Sequence, residues 1–126
     1  MSINVSDVDF IAIATKDIGP AVDFYENVLG LEKTVQWGQM PAYEFETGNV
    51  TLAVMQSDAF GQEFKASGAP LALQVEDVAA ARAELEGKGV QFRADTIDSG
   101  VCHMAIFSDP DGNPLILHHR YSPRES

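Results

Sequence analysis

Three histidines and a single cysteine are the side chains of this sequence best suited to act as bases, nucleophiles or metal ligands. They lie in two adjacent pairs, Cys102 with His103 and His118 with His119. Neighbouring residues on a strand point to opposite faces, so neither pair can chelate one ion together. Cys102 and His118, across the predicted pocket, are the candidate pair of a nucleophile and its base. The structural alternative is that Cys102 is apolar filler and His118 a polar residue near a strand end.

Aromatic side chains form the second set of candidates. Trp37 lies at a predicted strand end, where it suits either the rim of a pocket or a subunit contact. Phe60 and Phe64 are candidates for a lid, with the alternative that they anchor their segment to its own or a neighbouring chain. Glu44 and Glu46 alternate with aromatic residues, which predicts that these two carboxylates lie on a solvated face.

Composition and charge exclude several classes of protein. The 126 residues amount to one domain, and 45% apolar residues are typical of a globular chain. Eight basic and 19 acidic residues give a net charge of −11 without a basic stripe, so no nucleic-acid partner is expected. This acidity favours either simple solubility or attraction of a cationic ligand.

The same composition predicts a cytoplasmic location. The apolar runs are too short to span a bilayer, and the acidic N-terminus lacks the basic region of a signal peptide, so no membrane partner is expected. The lone Cys102 excludes an intrachain disulfide, in agreement with a reducing compartment.

The chain contains an internal repeat with an offset of 60 residues. Residues 10–18, Phe-Ile-Ala-Ile-Ala-Thr-Lys-Asp-Ile, align with residues 70–78, Pro-Leu-Ala-Leu-Gln-Val-Glu-Asp-Val. Each copy reads as a strand that ends in aspartate. Apolar residues at helical spacing follow, which predicts helices that begin at Ile18 and Val78 and end near Gly30 and Gly87.

Three more strands are predicted after each helix, so that each copy is a βαβββ module. They cover residues 34–37, 42–46 and 50–55 in the first copy and residues 91–94, 101–107 and 114–118 in the second. The modules span about residues 6–56 and 70–120 of a single domain, residues 1–126. The polar connection at residues 57–69, with a short helix at 58–64, is long enough to reach the second module or a partner chain.

Alternation sorts the strand side chains into two faces. One is apolar and is expected to pack against the helices: Ile11, Ile13, Thr15, Val50, Leu52, Val54, Leu71, Leu73, Val75, Leu115 and Leu117. The other is mixed and contains several small side chains: Phe10, Ala12, Ala14, Thr51, Ala53, Met55, Pro70, Ala72, Gln74, Ile116 and His118. On a curved sheet, this second face would form a concave pocket.

Four segments carry a resemblance to a known family. They are residues 10–18, residues 21–31 (Ala-Val-Asp-Phe-Tyr-Glu-Asn-Val-Leu-Gly-Leu), residues 71–78 and residues 107–115 (Phe-Ser-Asp-Pro-Asp-Gly-Asn-Pro-Leu). With their spacing they cover most of residues 8–118 and resemble the vicinal oxygen chelate superfamily, which includes glyoxalase I, extradiol dioxygenases, fosfomycin-resistance transferases and bleomycin-resistance proteins. The resemblance implies an α+β fold of two tandem βαβββ modules, with a curved mixed sheet around a cup-shaped pocket and helices on the outer face.

Metal-dependent members of that superfamily place a histidine at the start of the first strand of each module and a glutamate within the last strand. By resemblance, these positions here are Phe10, Ala53, Pro70 and Ile116, and none of them has a donor atom. The resemblance therefore implies a protein without a metal or other cofactor, and it argues against glyoxalase, dioxygenase or thiol-transferase chemistry.

The resemblance also implies where the pocket residues lie. Cys102, Met104 and Ile106 would face the pocket, and His103 would face away. Tyr43 stands where relatives often have a pocket tyrosine, with the alternative that it only covers the sheet. The expected ligand-binding residues are Phe10, Trp37, Tyr43, Ala53, Met55, Gln74, Met104, Ile116 and His118. His118 and Cys102 are the candidates for any catalytic role.

Two main functions follow as expectations. The first is a metal-independent small-molecule-binding protein that sequesters an antibiotic or an aromatic or cationic metabolite, as bleomycin-resistance proteins do. The second is a metal-independent isomerase, lyase or cyclase that uses His118, Cys102, Tyr43 or Gln74 for proton transfer and orientation. Whether the chain is an enzyme stays open at this point.

A third possibility is a structural or regulatory protein whose pocket is filled by its own Phe10, Met55, Met104 and Ile116. Relatives of this length resemble one another in forming homodimers. The expected partners are therefore a small-molecule ligand and a second copy of the chain, which would cover open sheet edges.

Overall fold

A computed structural model describes residues 3–123 of the chain. Two compact units divide between Phe64 and Lys65, and each contains one four-stranded mixed sheet with a helix packed against it. The α+β class and the tandem βαβββ order predicted from the sequence are confirmed.

The first unit begins with β1 and ends in a short 3₁₀ turn. Its elements are β1 (Ile11–Thr15), α1 (Ile18–Asp23) with a π-helical extension (Phe24–Val28), β2 (Glu32–Gln36), β3 (Ala42–Glu46), β4 (Thr51–Gln56) and the 3₁₀ turn (Ser57–Phe60). The strand order is β1-β4-β3-β2, with β1 parallel to β4 and the other neighbours antiparallel.

Helix α1 starts at an aspartate cap and ends in a widened turn. The Gly19 N–H donates to Asp17 Oδ1 at 3.2 Å, which satisfies one of the free donors at the helix start. At the other end the Leu29 N–H donates to the Phe24 carbonyl at 2.9 Å, one residue further back than in an α-helix, so the predicted helix is completed by a π turn. Phe24 and the neighbouring Tyr25 are both buried there.

The second unit repeats this plan. Its elements are β5 (Leu71–Gln74), α2 (Val78–Gly87), β6 (Ile97–Asp98), β7 (Cys102–Ser108) and β8 (Pro114–Arg120). The strand order is β5-β8-β7-β6, with β5 parallel to β8. Asp77 caps the start of α2 by accepting the Ala80 N–H at 3.0 Å. Gly89, with φ of 93°, allows the chain to turn after the end of α2.

The strand predicted at residues 91–94 is wrong. This stretch makes one isolated bridge, Phe92 to Phe107, and the strand of this module lies later, at Ile97–Asp98. The physical reason is a side chain of α2: Arg82 Nη1 donates to the Ala94 carbonyl at 2.8 Å, so this carbonyl is bonded to a side chain instead of a neighbouring strand.

The connection between the units is held by a buried turn of the second unit. Asp109 accepts the Asp111 and Asn113 N–H groups at 2.9 Å each, and the Asn113 amide donates to Asp109 Oδ2 at 2.8 Å. Asn113 Oδ1 then accepts the Ser67 N–H at 2.8 Å. The Asp-Pro-Asp-Gly-Asn motif is therefore a structural clamp on the connecting segment. That segment contains a 3₁₀ turn at Ser57–Phe60 in place of the predicted helix at 58–64.

Across residues 3–123, every helix is too short or too polar to cross a bilayer.

Candidate functional site

The strand register defines which face of the first sheet is covered by its helix. Residues paired across neighbouring strands share a face. The ring of Tyr25, from the π turn, lies 5.8 Å from that of Phe45, which pairs with Leu52. Phe45 and Leu52 therefore mark the helix-covered face. The opposite face, called the first open face here, carries Ala12, Ala14, Trp37, Ala42, Glu44, Glu46, Thr51, Ala53 and Met55.

Three aromatic rings from different segments meet beside this face. Phe10 precedes β1, Trp37 follows β2, and Phe60 ends the 3₁₀ turn. The rings of Phe10 and Trp37 are 5.3 Å apart at 71°, and those of Trp37 and Phe60 are 6.2 Å apart at 87°. Both contacts have the edge-to-face geometry that aromatic quadrupoles favour. These three rings are called the aromatic cluster below.

A carboxylate orients the cluster. Trp37 Nε1–H donates to Glu44 Oε2 at 2.7 Å, the short distance of a charge-assisted hydrogen bond. Glu46, one step along the same face, accepts the Thr51 hydroxyl at 2.8 Å. Both glutamates are half-buried, so they do not lie on the solvated face that the sequence predicted. The alternation of side chains along β3 places Glu44 and Glu46 on one face. The sequence alone did not show which face of β3 the helix covers.

The first open face also carries small side chains. Ala42 and Ala53 are fully buried, while Phe10 keeps 43% of its surface exposed and Trp37 and Phe60 are half-buried. Met55 lies opposite Ala42 in the ladder. The sequence-predicted residues Phe10, Trp37, Ala53 and Met55 are therefore brought to one side of the sheet.

Tyr43 lies on the other side, which corrects its expected pocket position. It pairs with Val54 on the helix-covered face, and the Lys33 ammonium lies 5.3 Å from its ring. The reason is the start of β3: Ala42 pairs with Met55 on the first open face, so the next residue must point to the helix.

The second sheet has a corresponding open face. Phe107 pairs with Leu115, and the Phe107 ring contacts Phe92, over which Arg82 of α2 lies, so these residues mark the helix-covered side. The opposite side, called the second open face, carries Ala72, Gln74, Cys102, Met104, Ile106, Ile116, His118 and Arg120. His118 pairs with both Gln74 and Met104, so the register groups the sequence-predicted residues of this module, whereas Pro70 precedes β5.

Cys102 and His118 share this face but are not partners in the ladder, where Cys102 pairs with Arg120. Cys102 is 5% exposed, and its Sγ lies 3.1 Å from Ser99 Oγ, a hydrogen-bond contact. This environment is that of a buried structural thiol. His119 lies on the helix-covered face, where its Nδ1 contacts the Val75 carbonyl at 3.1 Å.

His103 belongs to a separate polar cluster at the start of β7. Its Nε2 lies 3.4 Å from Asp98 Oδ2, and its ring lies 4.9 Å from that of Tyr121. The Tyr121 hydroxyl donates to Asp98 Oδ1 at 2.6 Å, which is the main reason that the pKa of Asp98 is lowered, with help from the Gly100 N–H. The same hydrogen bond raises the pKa of Tyr121 above its ordinary value.

A comparison with protein-family models decides the family. The model described as the Glyoxalase/Bleomycin resistance protein/Dioxygenase superfamily matches residues 7–117, which cover nearly all of both modules. The chain belongs to this superfamily. The resemblance inferred from the sequence motifs is thereby confirmed.

The residues at the superfamily's usual metal-ligand positions do not fit a metal ion. Phe10, Ala53, Pro70 and Ile116 offer a phenyl ring, a methyl group, a pyrrolidine ring and an alkyl chain, none with an oxygen, nitrogen or sulfur donor on the side chain. Within residues 3–123, no group of three histidine, cysteine or carboxylate side chains is arranged to hold an ion.

Several solved structures are similar to this fold. TnmS3, an antibiotic binding protein from Streptomyces sp. CB03234, is 24% identical with a TM-score of 0.78, over 94% of this chain and 99% of that one. A superfamily member from Sphaerobacter thermophilus DSM 20745 is also 24% identical with a TM-score of 0.78, over 90% and 97%. Lactoylglutathione lyase from Agrobacterium tumefaciens is 16% identical with a TM-score of 0.75, over 91% and 94%.

Identities this low show the fold alone, and this fold serves both a binding protein and an enzyme. No curated protein sequence matches the chain.

Proposed function

We propose that this chain is a metal-independent small-molecule-binding protein that sequesters an antibiotic or an aromatic or cationic metabolite. The observation that carries the proposal is the aromatic cluster on the first open face. Phe10, Trp37 and Phe60 come from three separate segments and keep aromatic surface accessible, with Phe10 43% exposed. Aromatic surface converging with a single polar group is typical of ligand sites.

Two further observations support binding over metal-assisted chemistry. The four positions that hold a metal in metal-dependent relatives have no donor atoms here. In addition, TnmS3, which shares the fold, is named as an antibiotic binding protein. A binding role of this kind needs only a fitting surface, and the aromatic cluster is the candidate for it here.

Fluorescence gives a direct test, because Trp37 is the only tryptophan of the chain. The protein is titrated with neutral, anionic and cationic polycyclic aromatic compounds, and each ligand is recovered and analysed by mass spectrometry. We expect a saturable change in Trp37 emission and a chemically unchanged ligand.

Tyr43→Phe, on the helix-covered face of the same sheet, is the matched control and should bind with unchanged affinity. Failure of every compound to produce a saturable change would contradict the proposal.

A second candidate is a metal-independent isomerase, lyase or cyclase. It is favoured by the pairing of Gln74 with His118 on the second open face, since an imidazole and an amide side by side can move a proton and orient a substrate. Mass spectrometry of the recovered ligand tests it as well. A rearranged or cleaved product that no longer forms with His118→Ala would establish the enzyme, and full recovery of the starting compound would exclude turnover of that compound.

We also propose that the protein acts as a homodimer in the cytoplasm. Ile3, Val5 and Val8 are exposed apolar side chains in the segment before β1, and exposed apolar surface of this kind favours contact with a second copy. The lone Cys102 supports a reducing compartment. Light scattering of the purified chain tests the dimer: a mass of one chain at micromolar concentration would contradict it.

A further inference from the structure

Glu44 is the charged side chain in direct contact with the aromatic cluster. The indole N–H of Trp37 occupies its Oε2 at 2.7 Å. Across residues 3–123, no lysine, arginine or histidine forms an ion pair with Glu44, so its negative charge lacks a cationic partner among these described residues. A half-buried carboxylate beside aromatic rings is a suitable counter-charge for a bound cation.

Both lysines of the first unit make cation–π contacts with rings outside the aromatic cluster. Lys16 lies 5.3 Å from the Phe64 ring and Lys33 lies 5.3 Å from the Tyr43 ring. Indole is the strongest cation-binding ring among the side chains, yet within the described residues no cation lies over Trp37. The two lysines of the first unit therefore contact other rings, which leaves the aromatic cluster without a cation from the described part of the chain.

The charge of the first unit favours the same class of ligand. Residues 1–64 contain two lysines, no arginine and ten acidic residues, so this half of the chain has eight of the eleven excess negative charges. A field of this sign concentrates cations near the surface and repels anions.

Ring geometry and hydrogen-bonding capacity distinguish between types of cation. The 71° and 87° angles between neighbouring rings give the cluster walls of different orientation, as in the aromatic cages that bind methylated ammonium groups. A primary ammonium has three N–H donors and requires several acceptors, whereas a quaternary ammonium has none. One carboxylate with three aromatic walls suits the alkylated cation.

We propose that Phe10, Trp37, Phe60 and Glu44 form a subsite for an alkylated ammonium group carried by an aromatic ligand. This inference rests on the proposed function and narrows its ligand class. The rings contact the N-methyl surface, and Glu44 supplies the opposite charge.

The test compares two ligands of the same shape that differ in charge. Phenyltrimethylammonium and its neutral isostere tert-butylbenzene are titrated into the full chain, with Trp37 emission and the Trp37 indole N–H resonance as readouts. We expect phenyltrimethylammonium to bind at least about tenfold more tightly, and its affinity to fall as salt is added.

Variants of Glu44 and Glu46 show which carboxylate contributes to cation binding. Glu44→Gln keeps a side-chain oxygen to accept the Trp37 N–H but removes the charge, so it should weaken cation binding about tenfold and leave tert-butylbenzene binding unchanged. Glu46→Gln, two residues along β3 on the same face, is the matched control and should change cation binding less than twofold. Circular dichroism confirms that both variants are folded.

The outcomes separate this inference from the proposed function. Equal binding of both probes, or equal losses in Glu44→Gln and Glu46→Gln, would overturn the cation subsite while leaving aromatic binding in place. Absence of binding by either probe and by every compound of the wider aromatic panel would overturn both proposals.

Discussion

Replacing Asn113 by alanine should destabilise the second unit by about 2–4 kcal/mol. The Asn113 side chain is 3% exposed, and its amide donates to Asp109 Oδ2 while its oxygen accepts the Ser67 N–H, both at 2.8 Å. A buried hydrogen bond to a charged acceptor contributes roughly 1.5–3 kcal/mol and a neutral one roughly 0.5–1.5 kcal/mol. The alanine variant loses both and leaves the 6% exposed carboxylate of Asp109 without one of its donors.

Native-state hydrogen exchange followed by NMR measures this effect for each unit through its own amides. The slowest amides of β7 and β8 report the free energy of opening of the second unit, and they should exchange about 30- to 1000-fold faster in Asn113→Ala. The Ser67 amide should lose its protection even under strongly native conditions.

The matched control is Asn49→Ala in the corresponding turn of the first module. Asn49 is exposed, and within residues 3–123 its side chain accepts one 3.2 Å hydrogen bond, from the Thr47 hydroxyl, so a change within roughly 0.5 kcal/mol is expected. If Asn113→Ala is no more destabilising than Asn49→Ala, or if the Ser67 amide stays protected, the clamp described for the Asp-Pro-Asp-Gly-Asn turn is incorrect.

Two further predictions concern the second unit. Asp77→Ala removes the cap that accepts the Ala80 N–H and should cost roughly 1 kcal/mol, seen as a lower midpoint of urea unfolding; an unchanged midpoint would show that α2 does not need this cap. An NMR titration should find the pKa of Asp98 below 3.8, and Tyr121→Phe should raise it. The folded-state pKa of Asp98 is lower than the unfolded-state pKa. Its contribution to stability is therefore present above the unfolded-state pKa and is lost as the pH falls through the folded-state pKa. An equal Asp98 pKa in the original chain and in Tyr121→Phe would contradict the role given to the Tyr121 hydrogen bond.

The repeat of residues 10–18 at residues 70–78 made the fold predictable. A strand, a capping aspartate and an apolar helical pattern occur twice with the same spacing, and such local signals agree with the tandem βαβββ order that the structure shows. The prediction of a strand at residues 91–94 failed because the Arg82 side chain of α2 binds the Ala94 carbonyl. The sequence does not indicate this contact between residues twelve positions apart.

The candidate site was predictable only in part, since side-chain direction depends on register. Trp37 reaches the first open face because β2 shifts register between Lys33 and Val35, an irregularity that the sequence does not indicate. Tyr43 and Glu44 are adjacent on β3, so assigning the tyrosine to the pocket necessarily assigned the glutamate to the outside. The structure reverses both, which is how the carboxylate of the cluster was missed.

The central claim is that an aromatic ligand binds at Trp37 without a metal and without being changed. The most direct measurement is a Trp37 fluorescence titration with a ligand from the aromatic panel, in a chelator and again with added divalent ions, followed by mass spectrometry of the recovered ligand. The account predicts one dissociation constant in both conditions and an unchanged ligand. Binding that requires a divalent ion, or a ligand recovered as a different compound, would contradict it.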